Sequence, residues 1–303
     1  MLPEHKFLRW FYLTLLSIIW GSSFILMKRG LLSFSPDQVA ATRMFSSFLC
    51  LFPVVIFQIR KVEKKYFKYI VIVGFLGNGI PAFLFTHAQT RIASAMAGML
   101  NSLTPVFVVI VGFLFFGSVF KASHILGVVI GLAGAVALIL INSKGNITGT
   151  DNVYGLLIVL ATISYAFSVS IMRRFLQSVD AVLISGFALF AVGIPSGIFL
   201  FTTDFTHRLA TQPGAWTNFI FVFLLGLFGT AISTILFYKL VKISNALYAS
   251  SVTYIIPIIA LLWGIFDGES LGIYHLLAMG GILLGVYLIN LQSIREQALN
   301  PKL

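Results

Sequence analysis

The sequence predicts an all-α membrane protein of ten transmembrane helices, arranged as two inverted five-helix repeats. Three observations predict this fold. Hydrophobic residues make up 59% of the 303 residues and charged residues only 10%, with a mean hydropathy of +1.01, whereas soluble domains carry about 25% charged residues. The chain divides into apolar segments with short connections, and landmarks of its first half return in its second half.

The internal repeat has a nearly constant offset. The segment Gly74 to Gly77 reappears as Gly226 to Gly229, an offset of 152, and Pro105 answers to Pro257 at the same offset. Such repeats decide the architecture. Five crossings per unit is an odd number, so the second copy must enter the membrane upside down. We expect one repeat over residues 1–150 and an inverted one over 151–303, an arrangement typical of secondary transporters.

Each apolar segment is assigned as one helix because about 20 apolar residues cross the hydrocarbon. Helices are required because exposed backbone groups find no partner in lipid, and the alternation of a β-barrel is missing. Neighbouring helices should be antiparallel, since the connections are short. The predicted spans are 9–28, 36–57, 66–87, 93–116 and 122–142 in the first half, and 153–173, 181–202, 216–238, 245–266 and 272–291 in the second.

Basic residues predict the orientation. Alternate loops and ends carry 14 Lys and Arg on one side and 5 on the other, and the richer side marks the cytoplasm. Both termini should therefore be cytoplasmic, in what we expect to be a bacterial inner membrane. The net charge of +11 is then a topology signal, and no nucleic-acid partner is expected. The first apolar run lacks a small-x-small cleavage site and belongs to the repeat, so it is interpreted as a retained helix.

Short motifs recur in order through both halves. They are Trp20-Gly21-Ser22-Ser23-Phe24, the stretches Ala93 to Gly98 and Leu103 to Pro105, and then Tyr254 to Pro257 and Phe266 to Glu269. This ordered set resembles the EamA family of the drug/metabolite transporter superfamily over essentially the whole chain. The resemblance implies a ten-helix, two-repeat carrier of small metabolites, often amino acids or their derivatives, frequently moved outward.

One position departs from the family pattern. The first half has Phe116-Gly117-Ser118 where the family usually has Gly-Glu, whereas the second half keeps Gly268-Glu269. We therefore expect an acidic cap at that helix end in one repeat only.

Arg43 is the most informative single residue, because it lies inside the second span. A charge at mid-membrane costs about 2.5–3.5 kcal/mol on insertion scales, so it usually faces a cavity or a partner. A guanidinium fork matches a substrate carboxylate. The alternative is a structural role, with Arg43 bonded to helix-end carbonyls or to Asp37.

Acidic residues avoid the centre of every span. All nine lie in loops or near helix ends, and proton- or sodium-coupled carriers often use a buried carboxylate. Facilitated transport, or antiport coupled through other groups, is therefore favoured. Asp267 is the nearest coupling candidate, with an end cap as its alternative role, and His87 is interpreted as an interfacial anchor that can titrate.

Polar side chains collect near the predicted midplane of both halves. In the repeat alignment Trp20 corresponds to Tyr165, Asn78 to Thr230, and Asn101 to Thr253. Paired polar positions at one depth predict a central pocket at the repeat interface. The alternative is that they link neighbouring helices. The substrate-binding candidates are Trp20, Ser22, Ser23, Arg43, Asn78, Asn101, Thr104, Tyr165, Ser168, Thr230, Thr234, Thr253 and Tyr254.

Prolines within the spans predict kinks where gating helices flex, chiefly Pro81, Pro105 and Pro257; kinks that only improve packing are the alternative. Glycine stripes in the fifth and tenth spans predict close helix contacts, and a homodimer through them is left open.

Function classes can be narrowed from what the sequence contains. We expect a non-enzymatic transporter with a small-molecule substrate, the bilayer as its surroundings, and no cofactor, since Walker, HExxH and CxxC motifs are missing from the sequence. A lipid-linked sugar flippase is the alternative, which a lateral opening and a strip of basic residues would favour. A membrane enzyme, a sensor or a channel is a more distant alternative.

Overall fold

The computed structural model describes residues 3–58, 62–118, 122–143, 151–244, 249 and 252–299. Within these residues the chain is helical and contains no strand. The helices of the first half are α1 (Pro3–Gly30), α2 (Pro36–Gln58), α3 (Lys64–Gly74), α4 (Ile80–Ala88), α5 (Ser94–Asn101), α6 (Thr104–Phe116) and α7 (Ala122–Asn142). Those of the second half are α8 (Asp151–Phe175), α9 (Ala181–Thr202), α10 (Phe205–Thr211), α11 (Ala215–Gly226), α12 (Ser233–Ile243), α13 (Val252–Phe266) and α14 (Ile273–Leu299).

The described helices account for the predicted spans to within a few residues. Nine stretches in the described part of the chain are long and apolar enough to cross a membrane, and α13 is a shorter apolar helix. The predicted ninth span began at residue 245, and most of its first turns lie outside the described residues. The predicted boundary between the repeats, at residue 150, lies outside them as well. The short helix α10, which joins α9 to α11, was not predicted.

Two π-helical segments interrupt the third and eighth spans. The segment Phe75–Gly79, here called π1, joins α3 to α4, and Leu227–Ile232, here called π2, joins α11 to α12. Their first residues are separated by the same offset of 152 that relates the sequence motifs. A π segment widens the helix by one residue per turn and is frequently found at functional sites. Both segments border the cavity described below.

Proline explains part of the irregularity at π1. Pro81 follows π1 and has no N–H to donate, so a carbonyl one turn earlier loses its backbone partner. The hydroxyl of Ser164 on α8 donates to the Leu76 carbonyl at 2.8 Å. Within a bilayer the carbonyl needs such a side-chain donor, because no water is present there to donate a hydrogen bond to it.

The other two predicted prolines behave differently. The helix break at Ser102–Leu103 separates α5 from α6, and Pro105 lies in the first turn of α6. Pro257, its equivalent by sequence offset, lies inside α13. Equivalent prolines are therefore accompanied by a break in one half and by a continuous helix in the other. Their predicted gating role stays a prediction.

The first helix of each half packs against later helices of the other half. Helix α1 packs on α13 and on α11 and α12, while α8 packs on α5 and α6 and on α3 and α4. Three further large pairings, α2 with α9, α5 with α13 and α7 with α14, join equivalent helices of the two halves. The centre of the bundle therefore lies between the halves rather than within either one.

Glycine permits a close contact between α7 and α14. A Cβ built on Gly285 of α14 would lie 2.5 Å from the Gly127 carbonyl oxygen and 2.5 Å from the Gly131 nitrogen, both on α7. Backbone atoms cannot move aside as a side-chain end can. The predicted small-residue stripe is thus a contact between the fifth and tenth spans within one chain.

We predict that Gly285→Ala lowers stability by about 1–3 kcal/mol, because the added methyl group overpacks the α7–α14 contact. Gly280→Ala on the same helix is the matched control, since a Cβ there meets nothing within 4 Å. Thermal unfolding of both variants in detergent measures the difference. Equal midpoints for the two variants would contradict the packing account.

Candidate functional site

A central cavity lies between the two halves of the bundle. Its empty space is about 980 Å³, including the part that is open to solvent. Residues of α1, α2, π1, α4, α5, α6, α8, π2, α12 and α13 line it. Ten of the thirteen predicted substrate-binding residues are among them: Trp20, Ser23, Arg43, Asn78, Asn101, Thr104, Tyr165, Ser168, Thr234 and Thr253.

Arg43 contributes the cavity's charge. Its residue surface is 9% exposed, and its Nε donates a hydrogen bond of 2.7 Å to Thr230 Oγ1 on π2. Thr230 is absent from the cavity lining and acts on the site through Arg43. The two terminal guanidinium nitrogens make no hydrogen bond to a described residue, which leaves the fork of the guanidinium for another acceptor.

Asp37 and the helix-end carbonyl of Gly226, two alternative partners for the Arg43 side chain, are bonded to other groups. The carboxylate of Asp37 lies 2.7 Å from His87 Nε2. The backbone carbonyl of Arg43 accepts from Ser47 Oγ at 2.5 Å, and the same hydroxyl lies 2.9 Å from the Gly226 carbonyl. These bonds seat α2 against the end of α11, directly before π2. Arg43 is therefore positioned by its contacts with the second half.

Thr234 positions a second polar group. It lies one turn after Thr230 and its hydroxyl donates to Asn78 Oδ1 at 3.3 Å. Asn78 belongs to π1 and is 7% exposed, and its Nδ2 is buried without a hydrogen-bond partner of acceptable geometry among the described residues. An amide donor left in this state costs free energy unless a ligand or water accepts from it. Two threonines of the second half thus orient two donors of the first.

Aromatic side chains supply much of the remaining wall. Trp20 Nε1 donates to the Gly229 carbonyl of π2 at 3.1 Å, and its ring lies 5.2 Å from Phe237. Phe85 lies between Phe24 and Tyr165, with ring centroids 5.7 Å and 6.2 Å away. These rings offer an apolar surface of defined orientation to a substrate.

Three hydroxyl groups of the cavity donate to backbone carbonyls. Ser23 Oγ donates to Ile19, Thr104 Oγ1 to Asn101 and Ser168 Oγ to Val73, at 2.9, 2.8 and 3.3 Å. The first bond stays within α1, the second spans the break between α5 and α6, and Ser168 links α8 to α3. Each of these three hydroxyls serves a structural link, as the alternative interpretation expected, while its residue lines the cavity.

Besides Thr230, two predicted residues do not line the cavity. Ser22 lies on the outer face of α1, where its hydroxyl accepts from Trp263 Nε1 at 2.8 Å. Tyr254 points toward α14, and its hydroxyl accepts from Asn290 Nδ2 at 2.7 Å. Each lies one residue from a lining position, Ser23 or Thr253, and the helical turn of about 100° per residue directs it elsewhere.

An ionic cluster closes the end of the bundle where α1 ends. Lys28 Nζ lies 2.6 Å from Asp267 Oδ2 and 2.7 Å from Glu269 Oε1, and Arg29 pairs with Asp267. Glu269 also accepts from the Ser94 backbone N–H at 2.9 Å and the Ala95 backbone N–H at 3.0 Å. The cluster joins α1, the residues after α13, and the start of α5.

The role of Glu269 corrects a sequence-based expectation. We expected an acidic cap at the end of its own helix, but its carboxylate caps the N-terminus of α5 in the other half. Free N–H groups and the helix dipole both favour a carboxylate there. The sequence placed Glu269 beyond a helix end but carried no signal for its partner.

Ion pairing lowers the pKa values of both carboxylates. The hydrogen bond from Lys28 holds the pKa of Asp267 below its usual range, against the opposing effect of burial. Burial raises the pKa of Glu269, but Lys28 and the N–H groups at the start of α5 together bring it below its usual range. The predicted coupling role of Asp267 finds no geometric support, because its partners are two basic side chains outside the cavity lining.

The described side chains contain no group of three or more His, Cys, Asp or Glu that could hold a metal ion.

Comparison with known proteins identifies relatives over nearly the whole chain. The model of the EamA-like transporter family matches twice, at residues 9–140 and 153–291. An uncharacterized transporter of Archaeoglobus fulgidus is 24% identical over 283 residues, covering 93% of this chain and 98% of its own. The uncharacterized inner membrane transporter YedA of Escherichia coli K12 is 26% identical over 280 residues, covering 91% and 88%.

A solved crystal structure shares the fold. It superposes with a TM-score of 0.64 at 17% sequence identity, covering 95% of this chain and 98% of that chain. At this identity the likeness concerns the fold alone.

We predict that Glu269→Ala lowers stability by about 1–3 kcal/mol, because it leaves the N–H groups at the start of α5 without their acceptor. Glu63→Ala is the control, since Glu63 and its partner Lys65 are both more than 60% exposed; we expect a change within about 0.5 kcal/mol. Thermal unfolding in detergent at neutral pH measures both. A Glu269→Ala midpoint equal to that of the control would contradict the assigned cap.

We predict an acid-dependent loss of stability that depends on this cluster. Lowered folded-state pKa values mean that the stabilisation is complete above the ordinary carboxyl pKa of about 4 and is lost as the pH falls through the lowered values. The thermal unfolding temperature of wild type should therefore fall once the pH is lowered below about 4. Glu269→Ala should show a smaller drop, and an identical pH profile would contradict the prediction.

Proposed function

The chain belongs to the EamA-like transporter family, and from this premise we propose that it is a secondary carrier of small metabolites such as amino acids or their derivatives. The proposed carrier has ten crossings, arranged as two inverted five-helix repeats. It binds its substrate in the central cavity and exposes that cavity alternately to the two sides of the membrane. A facilitator or exporter is favoured, because none of the nine acidic residues lies at the centre of a span.

Three features support the two-repeat architecture. The family model matches each half once, the helix pairings exchange between halves, and π1 and π2 begin 152 residues apart. The proposed ninth crossing is the predicted span 245–266, of which the structure describes the apolar helix α13. Both termini then lie in the cytoplasm, by the bias of Lys and Arg, in an inner membrane such as the one named for the Escherichia coli relative.

The observation that carries the proposal is Arg43 in the cavity, held through Nε by a threonine of the opposite half. A buried guanidinium needs a counter-charge or a full set of acceptors. The described residues supply one acceptor for its side chain, so a substrate carboxylate is the natural partner. A site shared by both halves is also what rocking of one repeat against the other requires.

The contacts between halves are suited to such a movement. Trp20 of α1 donates to a carbonyl of π2, and Ser164 of α8 donates to a carbonyl of π1. Each is a side-chain bond to an irregular helix turn, which can be exchanged without unwinding a regular helix. Pro81, Pro105 and Pro257 lie within one or two turns of cavity residues and provide the proposed flexing points.

The single charge also separates this proposal from the lipid-linked sugar alternative. A carrier of such a substrate needs basic groups for the pyrophosphate linkage. Arg43 is the one charged side chain among the described residues that line the cavity. A small organic substrate with one carboxylate matches this lining better.

Counterflow in proteoliposomes tests the proposed function. Vesicles with purified protein are loaded with one unlabelled metabolite and diluted into a trace of the same labelled compound, over a panel of carboxylates and amino acids. A carrier accumulates label transiently above the equilibrium level, because external label exchanges for internal substrate. Label entry that never overshoots for any compound in the panel would contradict an alternating-access carrier and favour a channel or a non-transport role.

We predict that Arg43→Ala reduces counterflow of a carboxylate substrate by roughly 10–100-fold. This factor corresponds to the loss of one hydrogen bond to a charged group, which contributes about 1.5–3 kcal/mol. Arg43→Lys should retain more activity, since it keeps the charge but loses the fork. Thr230→Val should cost about three- to tenfold, because it frees Nε and loosens the guanidinium. Arg91→Ala, an exposed arginine outside the cavity lining, is the control for charge loss. Wild-type counterflow in Arg43→Ala would contradict the assignment.

A further inference from the structure

The charge balance of the cavity limits which substrate it can take. Arg43 gives the described lining a net charge of +1, and no acidic residue lines it. The nine carboxylates of the chain lie in loops or near helix ends. An ammonium group that entered the cavity would therefore meet a cation and no anion.

The described acidic side chains are, in addition, engaged elsewhere. Asp37 pairs with His87, Glu63 with Lys65, and Asp204 with Arg208. Asp180 caps α9 through the Val182 N–H at 2.8 Å, and Asp267 and Glu269 belong to the ionic cluster. None of these six carboxylates can reach the cavity without leaving its partner.

Some donor groups in the cavity make no hydrogen bond to a described residue. They are the terminal nitrogens of Arg43 and the Nδ2 of Asn78. Both side chains are fixed from the second half, Arg43 through Thr230 and Asn78 through Thr234. Oriented donors with no acid nearby select for an acceptor that carries negative charge.

Much of the rest of the wall is apolar and aromatic. Trp20, Phe24, Phe85, Tyr165 and Phe237 face the cavity as rings, and rings bind a flat or apolar body. An aromatic face attracts a cation only weakly, and here that attraction would act against the field of Arg43. The wall therefore favours the hydrophobic part of a substrate over a charged amine.

We propose that the cavity selects organic monoanions with an apolar or aromatic body and no ammonium group, such as aryl-alkanoates or N-acylated amino acids, and discriminates against the free zwitterionic amino acids. This inference rests on the proposed function and narrows its substrate class. The carboxylate binds the Arg43 fork and the apolar body lies against the rings. A zwitterion would add an uncompensated positive charge beside the guanidinium.

Two series of probes, each with a similar apolar body and different charged groups, test the proposal. Purified wild-type protein in detergent is titrated calorimetrically with 3-phenylpropanoate, L-phenylalanine and 2-phenylethylamine, and with octanoate against octylamine. We expect each carboxylate to bind about tenfold or more tightly than its zwitterionic or amine counterpart, by the size of a like-charge penalty in a partly desolvated site. Phenylalanine or an amine binding as tightly as its carboxylate counterpart, or no carboxylate binding, would overturn the proposal.

Two variants assign the selectivity to the cavity charge. Arg43→Gln removes the positive charge and should bring the carboxylate-to-amine ratio close to one. Asn101→Asp adds a carboxylate to the lining with almost no change in shape, and should shift the ratio toward phenylalanine and the amines. Arg91→Ala should leave the ratio unchanged. An unchanged ratio in Asn101→Asp would contradict an electrostatic origin even if Arg43→Gln fails to fold.

The same probes separate this inference from the proposed function. If carboxylates bind selectively but show no counterflow, the proposed ligand class stands and the proposed carrier function is wrong. Counterflow of phenylalanine at a rate equal to that of 3-phenylpropanoate would retain the carrier and reject the ligand class.

Discussion

Backbone carbonyls in a bilayer must find donors within the protein, and this constraint organises the centre of the molecule. The π-helical segments π1 and π2 disturb the regular ladder of two membrane helices at equivalent positions. Donors from the opposite half reach both of them: Trp20 reaches Gly229, and Ser164 reaches Leu76. The irregular turns thus tie the halves together, and the cavity forms where the helices deviate from regular packing. A regular helix at either position would remove both the tie and the orientation of Asn78 and Thr230.

A single positive charge then gives the cavity its chemistry. The hydrogen bond from Arg43 to Thr230 crosses from one half to the other, so the geometry of the charge depends on how the halves are docked. Desolvation makes an uncompensated guanidinium unfavourable. Under the proposed function, a bound anion would relieve this cost, and the same side chain would couple substrate binding to the relative position of the halves. The ionic cluster of Lys28, Asp267 and Glu269 lies outside the cavity and stabilises one end of the bundle.

The sequence predicted most of the helical architecture because hydrophobicity and repeat spacing are strong signals in membrane proteins. The ends of α2, α7 and α9 lie within one residue of the predicted spans. The offset of 152 also paired Asn78 with Thr230 at the cavity. Side-chain direction was less predictable: Ser22 and Tyr254 lie one residue from cavity positions and face other helices. The π segments and the capping of α5 by Glu269 depend on contacts between distant helices, which no local pattern encodes.

Binding of a substrate carboxylate to the Arg43 fork, between the two halves, can be seen directly in a crystal structure of the protein with 3-(4-iodophenyl)propanoate. Anomalous scattering locates the iodine independently of the density for the rest of the ligand. We expect iodine among the rings of Trp20, Phe85 and Phe237, and carboxylate oxygens within hydrogen-bond distance of the terminal nitrogens of Arg43. Iodine outside the cavity, or a carboxylate directed away from Arg43 within it, would show that the carboxylate does not bind this fork.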